Sequence, residues 1–164
     1  MAKYGKIRNP WLGNDEYNCI GCSPDNPIGL HMHFYVDGDT VLGVMHPNDN
    51  FQGWIDMLHG GIQSLMMDET GAWFVGYRKQ LTAVTTRLEM KFMKPVFTSW
   101  ERIVVRATGV SEAHSLYAVH LELLSPEGDV CAKAEATYFL NPRQLQDDKL
   151  QVKYEIEAEY DEIP

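Results

Sequence analysis

The run Leu58-His59-Gly60-Gly61 has the residue types best suited to chemistry, because it joins a loop to the start of a predicted helix. The first backbone N–H groups of a helix have no acceptor within the helix, and the helix dipole is positive there. Such a terminus stabilises a carbonyl oxygen that becomes negative, as an oxyanion hole does. The alternative is that the two glycines only let the loop enter the helix tightly.

Two acidic residues, Asp68 and Glu69, lie in the middle of the same predicted helix. Asp68 borders the apolar stripe, three residues after Leu65, and Glu69 follows, turned by about 100° from Asp68 around the helix axis. Carboxylates beside a buried face are costly unless they are paired or used, so both are candidates for catalysis. The alternative is that they face solvent or pair with Arg87 or Lys91.

The spacing of Gly60 and Asp68 restricts how they can cooperate. They are eight residues apart, or about 12 Å along one helix, whereas catalytic groups must lie within about 3–3.5 Å of the atoms they act on. One helix therefore cannot supply both groups to one carbonyl. Two antiparallel copies about a two-fold axis can, so cooperation requires at least a dimer with shared sites.

Other patterns that could carry chemistry are incomplete. Cys19 and Cys22 have the spacing of half a zinc site or a redox pair, but the sequence has no second cysteine pair and Cys131 stands alone. His59 lacks the His-Glu-x-x-His context for zinc, and we assign it a role in shaping the loop. Neither a phosphate-binding glycine loop nor a Gly-x-Ser-x-Gly elbow occurs. We predict no metal site and no cofactor.

The composition bounds the class of protein. The length of 164 residues fits one domain, and a hydrophobic content of 45% indicates a packed core. The net charge of −9 argues against a nucleic-acid partner. No apolar run reaches the about 18 residues of a membrane helix, and the start of the chain lacks a secretory signal. The odd cysteine count suits a reducing compartment, so we predict a cytoplasmic protein.

One helix and several strands must position these groups. Apolar residues at spacings of three and four predict a helix over 60–77 that is buried on several sides. A strand hairpin precedes it and three or four long antiparallel strands follow, so the class is α+β, with a sheet that curls around the helix. We divide the chain into an irregular lead-in at 1–29, a folded domain at 30–140, and an acidic tail or edge strand at 141–164.

Three runs within residues 19–140 carry a resemblance to a known family. The central run resembles the acyl-CoA thioesterases of the hotdog superfamily, in the phenylacetate-degradation branch, and reads FQGWIDMLHGGIQSLMMDETGAW. A lead-in and a proline-ended strand of that branch are similar to CIGCSPDNPIGLHMHFYVDGD and AVTTRLEMKFMKPV. The resemblance implies a hotdog fold, in which an antiparallel sheet of five to six strands wraps around one long central helix. It also implies hydrolysis of an acyl-CoA thioester by a homodimer or a dimer of dimers.

The resemblance implies a role for several single residues. Asp68 matches the family's catalytic acid, which acts as general base on water or as nucleophile, and Glu69 is its runner-up. Gly60 matches the residue whose N–H polarises the thioester carbonyl, with Gly61 beside it. Thr85, ten residues before the proline of its strand, matches a Ser or Thr that helps to hold the attacking water in some relatives.

Substrate-binding roles are assigned to four further residues. Gln52 and Asn50 are candidates for the Asn or Gln that members of the family often carry in the loop before His-Gly-Gly, and His59 shapes that loop. Because an acidic protein does not attract the polyanion CoA by its net charge, a local basic patch is needed. Arg87 is our candidate, within a group that comprises Arg78, Lys79, Arg87, Lys91 and Lys94.

Two other functions stay open at this point. Acyl-thioester hydratases and dehydratases share the fold and look similar around Phe-Gln-Gly, but they place a catalytic His directly after it, where this chain has Trp54. A protein that binds acyl-CoA without catalysis is the other alternative.

Overall fold

The computed structural model of the chain describes residues 3–140 and 151–164, which form one long helix, a 3₁₀ turn and eight strands. The helix, α1, spans Gly60–Lys79, and the 3₁₀ turn spans Asp49–Phe51. The strands are β1 (Tyr4–Ile7), β2 (His33–Asp37), β3 (Thr40–Met45), β4 (Ala83–Phe92), β5 (Ile103–Ala113), β6 (Leu116–Leu124), β7 (Val130–Leu140) and β8 (Ile156–Tyr160).

All strand pairs are antiparallel and form one sheet in the order β4-β7-β6-β5-β3-β2-β1-β8. The predicted fold, one long helix against an antiparallel sheet, is confirmed. The predicted count of five to six strands is wrong, because the described residues contain eight. The two outermost strands at one end, β1 and β8, are four and five residues long. β1 is too short to show an alternating pattern in the sequence, whereas β8 lies in a segment that alternates polar and apolar residues.

The extra strands lie outside the predicted folded domain, in the segments that we predict to be an irregular lead-in and an acidic tail or edge strand. β1 falls within 1–29, and β8 is an edge strand within 141–164. Residues 141–150 of the predicted tail lie outside the described residues. The division of the chain into three parts stays a prediction.

Small residues on β7 and on the central helix allow close packing around the helix backbone. Alternate residues of β7 are buried in the core, and three of them are alanines, at positions 132, 134 and 136. A Cβ on Gly71 would lie 2.0 Å from the hydroxyl oxygen of Tyr138, and one on Gly76 would lie 2.6 Å from Cζ of Tyr154. Glycine at these positions therefore lets two tyrosines touch the helix backbone.

The helix begins where predicted and ends two residues later. Its last turn carries Arg78 and Lys79, whose positive charges suit the negative end of the helix dipole. Gln80 then adopts the left-handed conformation and donates its backbone N–H to the carbonyl of Gly76, which closes the helix. Among the described residues, no helix combines the length and the apolar character required to span a membrane.

Candidate functional site

The beginning of α1 has one capped and one uncapped glycine N–H group. His59 is the N-cap residue, with φ −60° and ψ 136°, and its Nδ1 accepts the N–H of Gly61 at 2.8 Å. A histidine thus fills the capping role that Ser, Thr, Asp or Asn usually has. The N–H of Gly60 has no acceptor among residues 3–140 and 151–164. Of the two glycine donors, Gly60 is the one that an incoming oxygen can use.

A cleft of about 500 Å³ opens at this terminus. Its wall includes an exposed apolar side chain, Trp54, and a basic one, Lys94. Gln63 also lines it and is buried, and its Oε1 has no hydrogen-bond partner among the described residues. Exposed apolar surface beside unpaired polar groups is typical of a place where a ligand or another chain binds.

The carboxylate of Asp68 is held by hydroxyl groups from two strands. The Oγ1 of Thr85 donates to Asp68 Oδ1 at 2.7 Å, and the hydroxyl of Tyr138 donates to the Asp68 carbonyl at 3.0 Å and lies 3.4 Å from Oδ1. Burial, with the Asp68 charge next, raises the pKa of Tyr138 above its usual value, so the phenol stays a donor. Asp68 is only half-buried, which leaves the fixed carboxylate within reach of a ligand.

A bulge in β4 places Thr85 against Asp68. Thr85 pairs with Tyr138 of β7, but the register shifts before Arg87, so Thr86 is an extra residue in the strand. Such a bulge redirects the neighbouring side chains. The two hydroxyl donors to Asp68 therefore come from one cross-strand pair.

Glu69 points away from Asp68 and Thr85. Its Oε1 accepts Nε1–H of Trp73 at 3.1 Å and the thiol of Cys19 at 3.4 Å. Burial, with the neighbouring Cys19 as a second cause, raises the pKa of Glu69 to about 7. The structure therefore separates the runner-up carboxylate from the Asp68 side of the helix, and neither acid pairs with a described Lys or Arg.

The other predicted binding residues do not converge on one place. The Gln52 side chain accepts the N–H of Asp56 at 3.3 Å, and Asn50 lines a different cleft from the one at Gly60. Arg87 is exposed on β4 and pairs with Glu89.

The described structure also brings in two residues that the sequence analysis did not single out. Tyr138 donates a hydrogen bond to Asp68 and is buried. The sequence feature that could have identified it is a tyrosine at an apolar position of an alternating strand, because a buried phenol needs a hydrogen-bond partner. Gln63 lines the Gly60 cleft. The sequence feature that could have identified it is a polar residue on a helix face that is otherwise apolar.

Neither a protein-family model nor a curated sequence matches the chain. Solved structures do match it. A thioesterase superfamily protein, RHA08564, is 18% identical with a TM-score of 0.66, over 75% of this chain, which spans only 60% of that protein. PaaI of E. coli, from the phenylacetic acid degradation operon, is 15% identical with a TM-score of 0.61, over 68% of this chain and 80% of its own.

A third similar structure contains a ligand. BH2602 of Bacillus halodurans, solved with CoA, is 20% identical with a TM-score of 0.56, over 61% of this chain and 66% of its own. Likeness at this level of identity concerns the fold. The resemblance predicted from the sequence is thereby confirmed as one of architecture: the chain has the hotdog fold of the thioesterase superfamily.

Proposed function

We propose that the protein hydrolyses an acyl-CoA thioester to the free acid and CoA. The observation that carries the proposal is a pair of half-sites: a free N–H at Gly60 and a carboxylate, Asp68, fixed by the hydroxyl of Thr85. An oxyanion donor and a base or nucleophile are the two groups that acyl transfer to water requires. The shared fold with thioesterase superfamily proteins, and the CoA bound to BH2602, support this substrate class.

The two half-sites lie towards opposite ends of β4. Thr85, near its start, contacts Asp68, whereas Phe92, its last residue, lies beside Gly60, where an added Cβ would be 3.4 Å from Phe92 Cε1. β4 is the edge strand of the sheet and ends in an apolar side chain that is 53% exposed. A long edge strand of this kind is suited to pairing with another chain.

A second copy of the chain completes the site in this proposal. When β4 pairs antiparallel with its own copy about a two-fold axis, the start of one strand lies beside the end of the other. Each Asp68 then approaches the partner's Gly60, as the helix spacing requires. The homodimer, with a dimer of dimers as its larger form, and a cytoplasmic location are part of the proposal.

The chemistry follows from the atoms in each combined site. The thioester oxygen accepts the N–H of Gly60, which stabilises the negative charge of the tetrahedral intermediate. The Thr85 hydroxyl donates its hydrogen bond to Asp68, so the lone pairs of Oγ1 can accept a hydrogen bond from the attacking water. Asp68 takes the other water proton as general base and returns it to the departing CoA thiolate. In the alternative course Asp68 attacks the carbonyl itself and CoA leaves as the thiolate, which gives a mixed anhydride. Water then hydrolyses the anhydride to the free acid and the regenerated Asp68 carboxylate.

Thiol release from a panel of short-chain, long-chain and aromatic acyl-CoAs tests the proposed function. Hydrolysis liberates free CoA thiol in proportion to free acid, and we expect this for at least one member of the panel. Interconversion of enoyl- and 3-hydroxyacyl-CoA without free thiol would instead identify a hydratase or dehydratase. Tight binding without any turnover would identify a binding protein.

The hydroxyl of Thr85 gives a prediction on the rate. Thr85→Val removes the 2.7 Å hydrogen bond to Asp68 and the water contact, so we expect kcat to fall about 10- to 100-fold. Thr85→Ser is the matched control, since it keeps the hydroxyl and should stay within about threefold of wild type. Steady-state thiol release measures both, and equal loss in the two variants would contradict the assignment.

Lys94 gives a prediction on substrate binding, because among the described residues it is the one Lys or Arg that lines the Gly60 cleft. Lys94→Gln is expected to raise KM for acyl-CoA about three- to tenfold at low salt, with little change in kcat, because it removes a charge near the CoA phosphates. Lys3→Gln is the matched control, since Lys3 and Lys94 each form an exposed ion pair at 3.3 Å. A KM unaffected by Lys94→Gln would exclude this contact.

A further inference from the structure

Cys19, Cys22 and Glu69 come together on the side of α1 that faces away from the Asp68 site. The two sulfurs and a carboxylate oxygen all lie within 4.8 Å of one another. Metal–sulfur bonds of about 2.3 Å in a tetrahedral site place two sulfurs about 3.8 Å apart, so a movement of about 1 Å suffices to form one. We propose that these three residues bind one Zn²⁺ ion, with the fourth position open to water.

The loop between the cysteines is shaped around the carboxylate. A Cβ on Gly21 would lie 2.5 Å from Cδ of Glu69, so only glycine allows this approach. The N–H of Gly21 donates to Sγ of Cys19 at 3.3 Å, and the N–H of Ser23 donates to the Cys19 carbonyl at 3.0 Å. An N–H directed at sulfur stabilises the thiolate form, which is the form that binds metal.

The charge balance of the cluster also favours a cation. No Lys, Arg or His among the described residues forms an ion pair with Glu69. Enclosed carboxylates and thiolates are normally compensated by an opposite charge or by a metal. A divalent ion would supply this charge at the point where the three ligand atoms meet.

The type and number of ligands select zinc. Two thiolates favour a soft or borderline metal over Mg²⁺ or Ca²⁺, and zinc accepts a carboxylate as a further ligand. Surrounding hydrogen bonds fix the ligands, since the hydroxyl of Tyr17 lies 3.0 Å from Cys22 Sγ and Trp73 donates to Glu69. A cavity of about 330 Å³, lined by all three ligands, gives an entry path and room for water.

The ion would tie the N-terminal segment to the central helix. Cys19 and Cys22 precede β2, whereas Glu69 lies in the middle of α1, directly after Asp68. The proposed ion is therefore architectural, and it stands whether or not the protein hydrolyses thioesters. It also changes the interpretation of the cysteine pair, because the third ligand comes from a helix 50 residues away in sequence.

Cobalt binding by the reduced full-length protein tests the proposal. After treatment with a chelator and a reductant, we expect Co²⁺ to bind at one equivalent per chain, with the thiolate-to-cobalt charge-transfer absorption and the intense visible bands of a tetrahedral site. Zn²⁺ should displace it and raise Tm, because an ion that binds only the folded state stabilises that state. These measurements require no enzymatic activity.

Variants locate the ion. Cys19→Ser and Cys22→Ser should abolish the charge-transfer band, and Glu69→Gln should weaken Co²⁺ binding at least tenfold. Cys131→Ser is the matched control, since Cys131 is a buried free cysteine outside the cluster, and it should keep one equivalent. Failure of the reduced wild-type protein to bind Co²⁺ would overturn the proposal, as would loss of binding in Cys131→Ser alone. The wild-type measurement decides the question even where a variant does not fold.

Discussion

Replacing Asp68 with Asn is expected to lower kcat for thioester hydrolysis by about 10²–10⁴-fold, the usual contribution of a general base. Asn keeps the size of the side chain and an oxygen that can accept the hydrogen bond of the Thr85 hydroxyl. In the wild-type protein this hydrogen bond is 2.7 Å long, from Thr85 Oγ1 to Asp68 Oδ1. It can neither accept a proton from water nor attack the carbonyl. Because the shape and the hydrogen bond are conserved, we expect the fold and the oligomeric state to persist.

Thiol release and light scattering on the same Asp68→Asn preparation separate chemistry from assembly. Asp39→Asn is a control for the loss of one negative charge, since Asp39 is an exposed residue that pairs with Arg78. We expect its turnover to match wild type. Unchanged turnover in Asp68→Asn would remove Asp68 from the mechanism, whereas a loss of oligomers would assign it a role in assembly instead.

The sequence was most informative about the central helix. The apolar spacing and the Gly60-Gly61 pair correctly predict where α1 begins, because both are local properties of the chain. The strand β1 escaped prediction because it depends on its neighbours: it pairs with β2 and β8, and no alternation within its four residues reveals this. The strand β8 was one of two alternatives for the acidic segment at 141–164, because its alternation is local whereas its pairing with β1 is not.

The candidate site was predictable in part, for a similar reason. Thr85 was found through its distance from a proline in a family pattern, but its contact with Asp68 depends on a bulge set by pairing with β7. The contact of Glu69 with Cys19 joins residues that are 50 positions apart in the chain. Contacts between distant segments have no local signal in a single sequence, so both required the folded structure.

Removing the N–H of Gly60 is the second prediction with a large effect. Gly60→Pro deletes this hydrogen while proline suits the first position of a helix. The preceding residue, His59, already has the extended conformation, ψ 136°, that proline requires of its neighbour. We expect kcat to fall about 10²–10³-fold, as when one oxyanion-hole donor is lost. Gly60→Ala is the control, since it keeps the N–H and its Cβ makes an ordinary 3.4 Å contact with Phe92.

Mixing the two inactive chains tests whether each site is shared. A dimer of one Asp68→Asn chain and one Gly60→Pro chain has one site with both defects and one site with neither, because the intact Asp68 and the intact Gly60 belong to different chains. Co-expression of the two variants in equal amounts makes half of the dimers mixed, so we expect about one quarter of wild-type turnover, far above either variant alone. If each site were built within a single chain, the mixed dimer would recover no activity. That result would contradict the shared site that we infer from the distance of about 12 Å between Gly60 and Asp68 along one helix.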